Sequence, residues 1–314
     1  MRMRVMTALG GAALLAMAGC DIAAPPPAAP APPPPVARPP EPSGPSPASA
    51  ALTAHYARTE RDLLSRGLLR QDGGGPDSPW TDTDLMRNFE AIVFFDEYRP
   101  GAGYRPASGE AGRLRKWTSP VRFGVEFGAS VPPEQQAADR AAVTDYAARL
   151  ARVTRHPIET VARGANFHVL FMSEDDRAGG LARIRALVPG IDATTLGIFR
   201  DMPRAIHCLV VAFSEKGNPH AYDRAIAWIR AEHPALSRAS CIHEELAQGL
   251  GLANDSPRAR PSIFNDDEEF ALLTGHDEIL LWLLYHPDLR PGMTPEEARP
   301  ILRRLLDTRA GGPA

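Results

Sequence analysis

Residues 23–50 are almost entirely Ala, Pro and Ser and hold 13 of the chain's 32 prolines. Proline removes a backbone donor and fixes φ, so neither helix nor sheet is expected to propagate through such a run. This stretch divides the 314 residues into a short leader, a spacer and a folded part. In polyproline II, at about 3.1 Å per residue, the spacer would hold the folded part some tens of ångströms from the leader.

The leader has a basic start, Met1-Arg2-Met3-Arg4, and an apolar run from Val5 to Met17 that is too short to span a bilayer. It closes on Met17-Ala18-Gly19-Cys20. Small residues before a cysteine resemble the lipobox cut by the lipoprotein signal peptidase. That resemblance implies removal of residues 1–19 and a lipidated Cys20 at the head of a tether over 20–48. The other reading is an ordinary secretory signal cut near Ala18. One acyl chain, at about 0.8 kcal/mol per buried CH₂, holds only marginally; bacterial lipoproteins carry two or three. Asp21 resembles the inner-membrane retention signal of some enterobacterial lipoproteins. The expected location is the cell envelope, anchored in the lipid bilayer and facing the periplasm.

Roughly 265 residues remain, enough for one large domain or a domain with a helical extension. The net charge is −3, with 35 basic and 38 acidic residues and no basic block, which argues against nucleic acid as a partner. No second long apolar run follows the leader. If Cys20 is lipidated, Cys208 and Cys241 remain, and in an oxidising compartment an even pair suggests a disulfide rather than two buried thiols. Such a bond would contribute about 3 kcal/mol in the chain-entropy model.

Within the folded part, Ser49–Gln71 and the stretch after Thr81-Asp82-Thr83-Asp84 have helical apolar spacing. They are expected to form a helical extension over 49–114. The main domain, 115–308, is expected to start near Trp117. Val121–Phe127 alternates as a half-buried strand, Pro132-Pro133-Glu134 opens a helix to about Thr154, and Phe167–Met172 and Ile206–Phe213 read as strands. Helical stretches occupy parts of 174–200, and Tyr222–Arg230 fits a strand or a short helix. Thr274 and Asp277 read as a helix N-cap pair, with His276 expected on the surface. Thr294-Pro295-Glu296-Glu297 opens a last helix, and 309–314 is expected to be a disordered tail.

The stretch with the most chemistry is Cys241-Ile-His243-Glu244-Glu245-Leu-Ala247-Gln248-Gly-Leu250-Gly251-Leu252-Ala-Asn254-Asp255. A zinc-protease helix needs two histidines four residues apart on one face, and four after His243 stands Ala247. Anchored instead on Leu250-Gly251-Leu252, the stretch resembles the metzincin pattern H-E-x-x-H-x-x-G-x-x-H with its ligands replaced. Glu244, Gln248 and Asn254 fall at the ligand positions and Glu245 at the general base. Ser262-Ile-Phe264-Asn-Asp266 resembles the turn that carries a methionine in that family. The combined string EExxQxLGLxND, SIFND, DE and LY is similar to a family of proteobacterial lipoproteins, domain of unknown function 2927, over roughly residues 80–305. That family has no activity to transfer.

The resemblance implies an α+β, zincin-like fold: a twisted mixed sheet backed by helices, with the site helix crossing beneath. A catalytic zinc takes three ligands and activates a water. One carboxylate and two amides bind zinc poorly, and suit a hard divalent cation only weakly. The expected role is therefore a non-catalytic pseudoprotease or binding module with no cofactor, taking a peptide, glycan or envelope protein. The alternative is a metal-dependent hydrolase with Glu245 as general base.

Overall fold

Successive side chains of a strand point to opposite faces of its sheet, and the central strand β4 (Phe167–Met172) buries both. Phe167, Val169 and Phe171 enter the larger core, while Leu170 and Met172 enter a second one. β4 runs parallel to β2 (Val121–Phe127) on one side, with Phe123 opposite Phe167 and Val125 opposite Val169. On its other side it runs parallel to β6 (Asn218–Arg230). β3 (Ile158–Thr160) extends the sheet beyond β2, and β1 (Lys116–Trp117) pairs with the start of β6. β5 (Cys208–Glu215) pairs antiparallel with β6, placing Cys208 opposite Ile229. The fold is thus mixed α+β, with a largely parallel sheet backed by helices, as expected.

Helix α3 (Pro133–Thr154) presents Val143, Tyr146, Ala147 and Leu150 to the larger core. It packs against α6 (Ala235–Gln248) and α7 (Gly275–Leu284). α8 (Pro295–Ala310) adds Leu302, Leu305 and Leu306 to that core. On the opposite face, α4 (Arg177–Leu187) and α5 (Ala193–Arg200) cover Trp228 with Leu181, Ile184, Leu196 and Phe199. α2 (Asp82–Val93) starts after Thr81, as expected, with Thr81 and Asp84 closing a capping box, and it buries Leu85, Phe89, Ile92 and Val93 in the same core as α6 and α7. At about 1.5–3 kcal/mol per buried large apolar side chain, α2 is part of what holds the site helix in place.

The structure describes residues 44–99, 101–107 and 109–310. The leader, Cys20, Asp21 and most of the spacer lie outside the described residues, as do 311–314. None of the described helices is long and apolar enough to cross a membrane.

Several boundaries differ from expectation. α1 (Pro47–Ser65) starts inside the proline-rich run, because a proline in the first helical turn has no amide to lose and Ser46 caps it. It ends six residues before Gln71, where the chain turns through Gly67 (φ 76°) and Leu69 (φ 58°). That turn lets Leu69 and Arg70 donate to the carbonyls of Glu268 and Glu269. Of the two readings open for Tyr222–Arg230, strand or short helix, the structure has the strand, which starts four residues earlier at Asn218. β3, at three residues, is too short to show a period. His276 is not on the surface: it is fully buried, its Nε2 3.0 Å from Asn88 Nδ2. An N-terminal helix position is exposed only if nothing covers it, and here α2 does.

Candidate acidic binding cleft

Helix α6 is held from all sides. Arg238 and Asp139 form a buried ion pair, Nε lying 3.0 and 2.9 Å from the two carboxylate oxygens, which joins α6 to α3. The Tyr146 hydroxyl donates to His243 O at 2.8 Å. The expected disulfide is present: Cys208 at the start of β5 is bonded to Cys241, with Cα atoms 5.8 Å apart. The last carbonyls of a helix have no partner of their own; beyond α6, Trp117 Nε1–H donates to Gly249 O at 2.8 Å and Tyr285 O–H to Leu250 O at 2.9 Å. The chain then turns at Gly251, whose φ of 127° suits only glycine and whose Cβ, if it had one, would lie 2.5 Å from Arg115 O.

Successive helical residues lie about 100° apart, so His243, Glu244 and Glu245 face different ways. His243 turns inward: it stacks on Tyr146 with centroids 4.0 Å apart, and its Nδ1 accepts from Leu273 N–H at 3.0 Å. Burial pushes its pKa down to about 3. This histidine supports the helix and is not presented as a ligand. Glu244, Glu245 and Gln248 instead line a cavity of about 630 Å³. Cys208 to Phe213 of β5 run along its wall, and Tyr98, Tyr104 and Tyr222 also line it.

Of the residues expected to act together, the structure brings Glu244, Glu245 and Gln248 to one cavity and leaves Asn254 out of its lining. Asn254 donates Nδ2–H to Ala91 O at 2.9 Å, fastening the loop to α2. The next residue, Asp255, lines the cavity instead. Glu97, Asp266 and Glu268 contribute further carboxylates. Sequence reasoning did not reach Glu97 or Glu268, which come from loops distant in the chain. Glu268 alone carried a signal visible only in the fold, a left-handed φ of 57°; a non-glycine residue held there is strained, and such strain gathers at functional sites.

Among the described residues, no ion pair reaches any of these six carboxylates. Glu245 is 3% exposed, and its Oε2 and the Oδ1 of Asp255 are buried without a hydrogen-bond partner. Burial, then the neighbouring Glu245 and Asp255 charges, raise the Glu244 pKa well above the carboxylate range. Burial, then Glu97 and Asp255, do the same to Glu245. Asp255 is pushed up to about 8 by burial and by Glu97, against the pull of the Gln248 amide. Perturbed carboxyl groups gathered in a cleft mark a functional-site candidate.

The donor set does not fit zinc. One carboxylate oxygen each from Glu244 and Glu245 and the Cys208 sulfur lie within 4.8 Å of one another, and among the described residues no histidine joins them. The sulfur is committed to the disulfide and offers no thiolate. What remains is oxygen, whereas zinc takes nitrogen and sulfur readily.

No curated protein and no solved structure matches the chain. The family described as protein of unknown function (DUF2927) matches residues 82–304, from the first residue of α2 into α8, a span that includes β5, α6 and the loops that carry the six carboxylates. The chain belongs to that family.

Proposed function

We propose that the chain is a non-catalytic binding module, built like a zincin, held at the envelope through Cys20 and facing the periplasm. Its cleft takes an extended peptide segment of an envelope partner. The observation that carries this reading is the position of β5: it pairs with β6 alone among the described strands, and residues Cys208–Phe213 run along the cavity. An edge strand offers unpaired backbone donors and acceptors to an added strand, and a cleft beside it selects among side chains. The mixed sheet, the helix that follows β6 and the glycine turn after it support the zincin-like reading.

The metal-dependent hydrolase has less support. A general base must be ionised before it can take a proton, and burial with the neighbouring carboxylates favours the protonated form of Glu245. A peptide array probed with the full-length chain in detergent tests the proposal. Saturable binding weakened by Glu244→Ala and Gln248→Ala, with no hydrolysis in either case, is expected. Cleavage of any peptide that those substitutions abolish would contradict it.

A further inference from the structure

The floor of the cleft gathers acidic groups that the fold leaves without a counter-charge. One carboxylate oxygen each of Glu244 and Glu245 lies within 4.8 Å of the other and of the Cys208 sulfur, which puts this pair beside the start of β5. Glu97, Asp255 and Glu268 line the same cavity. Glu245 is almost wholly buried, lines the cavity and has an oxygen with no partner; Asp255 has another. A carboxyl group this deep is ordinarily surrounded by donors, so the missing donors are left for a ligand to bring. Among the described residues, no three carboxylates have oxygens within 4.8 Å of one another. The acidic groups therefore do not surround a single point, and they suit a longer ligand that carries several donors. The basic groups at the cavity do not neutralise them. Arg115 is paired with Asp96, Arg99 is exposed, and burial lowers the pKa of His207 and His233, which keeps both rings uncharged near neutrality.

Resting on the peptide reading, we propose that the segment bound in the cleft carries an arginine or lysine, whose side chain sits on Glu244 and Glu245 at the Cys208 end of β5. Alternate side chains of a strand point to one face, so a peptide paired with β5 presents every second side chain to the cavity. A guanidinium brings five N–H donors and an ammonium three. Different donors of one such group can meet different carboxyl groups, the unpartnered oxygen of Glu245 among them. Charge-assisted bonds of this kind are about twice as strong as neutral ones. Tyr98 and Tyr104, edge to face with ring centroids 5.7 Å apart, line the same cavity and offer aromatic surface to the stem or the charge of a basic side chain. The raised pKa values of Glu244, Glu245 and Asp255 have the same root, carboxyl groups buried among other carboxyl groups. A cation bound beside them favours their charged forms.

The test measures binding of fluorescent peptides to the full-length chain in detergent by anisotropy. The peptides are blocked at both ends, share a randomised background of alanine, serine, threonine and valine, and differ only at a central residue. That residue is arginine, lysine, or citrulline, the uncharged isostere of arginine. We expect the arginine and lysine peptides to bind at least about tenfold more tightly than the citrulline peptides, the difference that charge-assisted hydrogen bonds make. In the double variant Glu244→Gln and Glu245→Gln, with its fold checked by circular dichroism, that preference is expected to disappear. Equal affinity of arginine and citrulline peptides for the unsubstituted chain overturns the inference and leaves the peptide reading standing, whether or not the variant folds. An undiminished preference in the folded variant overturns it too, by placing the basic side chain elsewhere. Binding by none of the peptides overturns both readings.

Discussion

Glu245 and Asp277 are both acidic, both buried and both on helices of the same core, yet their surroundings are opposite. Asp277, in the first turn of α7, accepts from Ser262 Oγ at 2.6 Å, Ile263 N at 3.1 Å, and Thr274 N and Oγ1 at 3.0 and 2.9 Å. Glu245 has an oxygen with no partner and acidic neighbours. The first carboxylate joins the cap of α7 to the Ser262–Phe264 turn. The second makes no comparable tie and faces a cavity. A buried carboxyl group that is fully hydrogen-bonded serves the fold, while one left incomplete is a cost that the fold carries for a ligand.

Removing the satisfied carboxylate is expected to have the largest effect. Asp277→Ala strands several buried donors and should lower the free energy of unfolding by about 3–5 kcal/mol in urea titrations. A loss below about 1 kcal/mol would erase the contrast between the two sites. Next comes the clamp behind the cleft. Replacing both Cys208 and Cys241 by Ser opens a closure spanning 33 residues and should cost about 3–4 kcal/mol in the chain-entropy model. It should also weaken peptide binding, because β5 would no longer be fixed to α6.

Acidity separates the regions more finely. The Asp255 pKa rises to about 8 in the folded chain, from an unfolded value of about 3.9. Between those values the folded state binds the extra proton, so stability is fully present below about pH 4 and is lost as pH rises through about 8. His233 and His243 act in the opposite sense. Burial pushes both down to about 3, so their contribution is present above an unfolded value of about 6.5 and is lost as pH falls towards 3. Chelator-treated protein should therefore melt at its highest temperature in mildly acid solution. Asp255→Asn should flatten the decline on the alkaline side, and an unchanged slope would separate Asp255 from that decline.

Much of this fold was legible because it rests on periods. The alternation of Val121–Phe127, the helical spacing of α3 and the Thr81 and Thr274 caps all appear where their patterns put them. The site was legible only as far as the helix extends. Glu244 and Gln248 are four residues apart and share the cavity because helical spacing maps sequence onto a face. Beyond Gly251 that mapping stops: the left-handed turn breaks the count, and Asp255 takes the place expected of Asn254. Glu97 and Glu268 arrive through tertiary contacts, and no local pattern announces where a loop will fold back. His276 was misplaced for the same reason, since its burial depends on Asn88 of another helix.

The most direct measurement is the unfolding free energy of Glu245→Gln at pH 8, without divalent cation, beside that of the unsubstituted chain. Glutamine keeps the shape of the side chain and removes its acidity. If the carboxylate is held for a ligand, the variant should be as stable as the parent or more stable by up to about 1 kcal/mol, as is common where a site trades stability for function. A loss of more than about 2 kcal/mol would place Glu245 with Asp277 among the groups that build the fold, and would contradict the account of the cleft as a binding site.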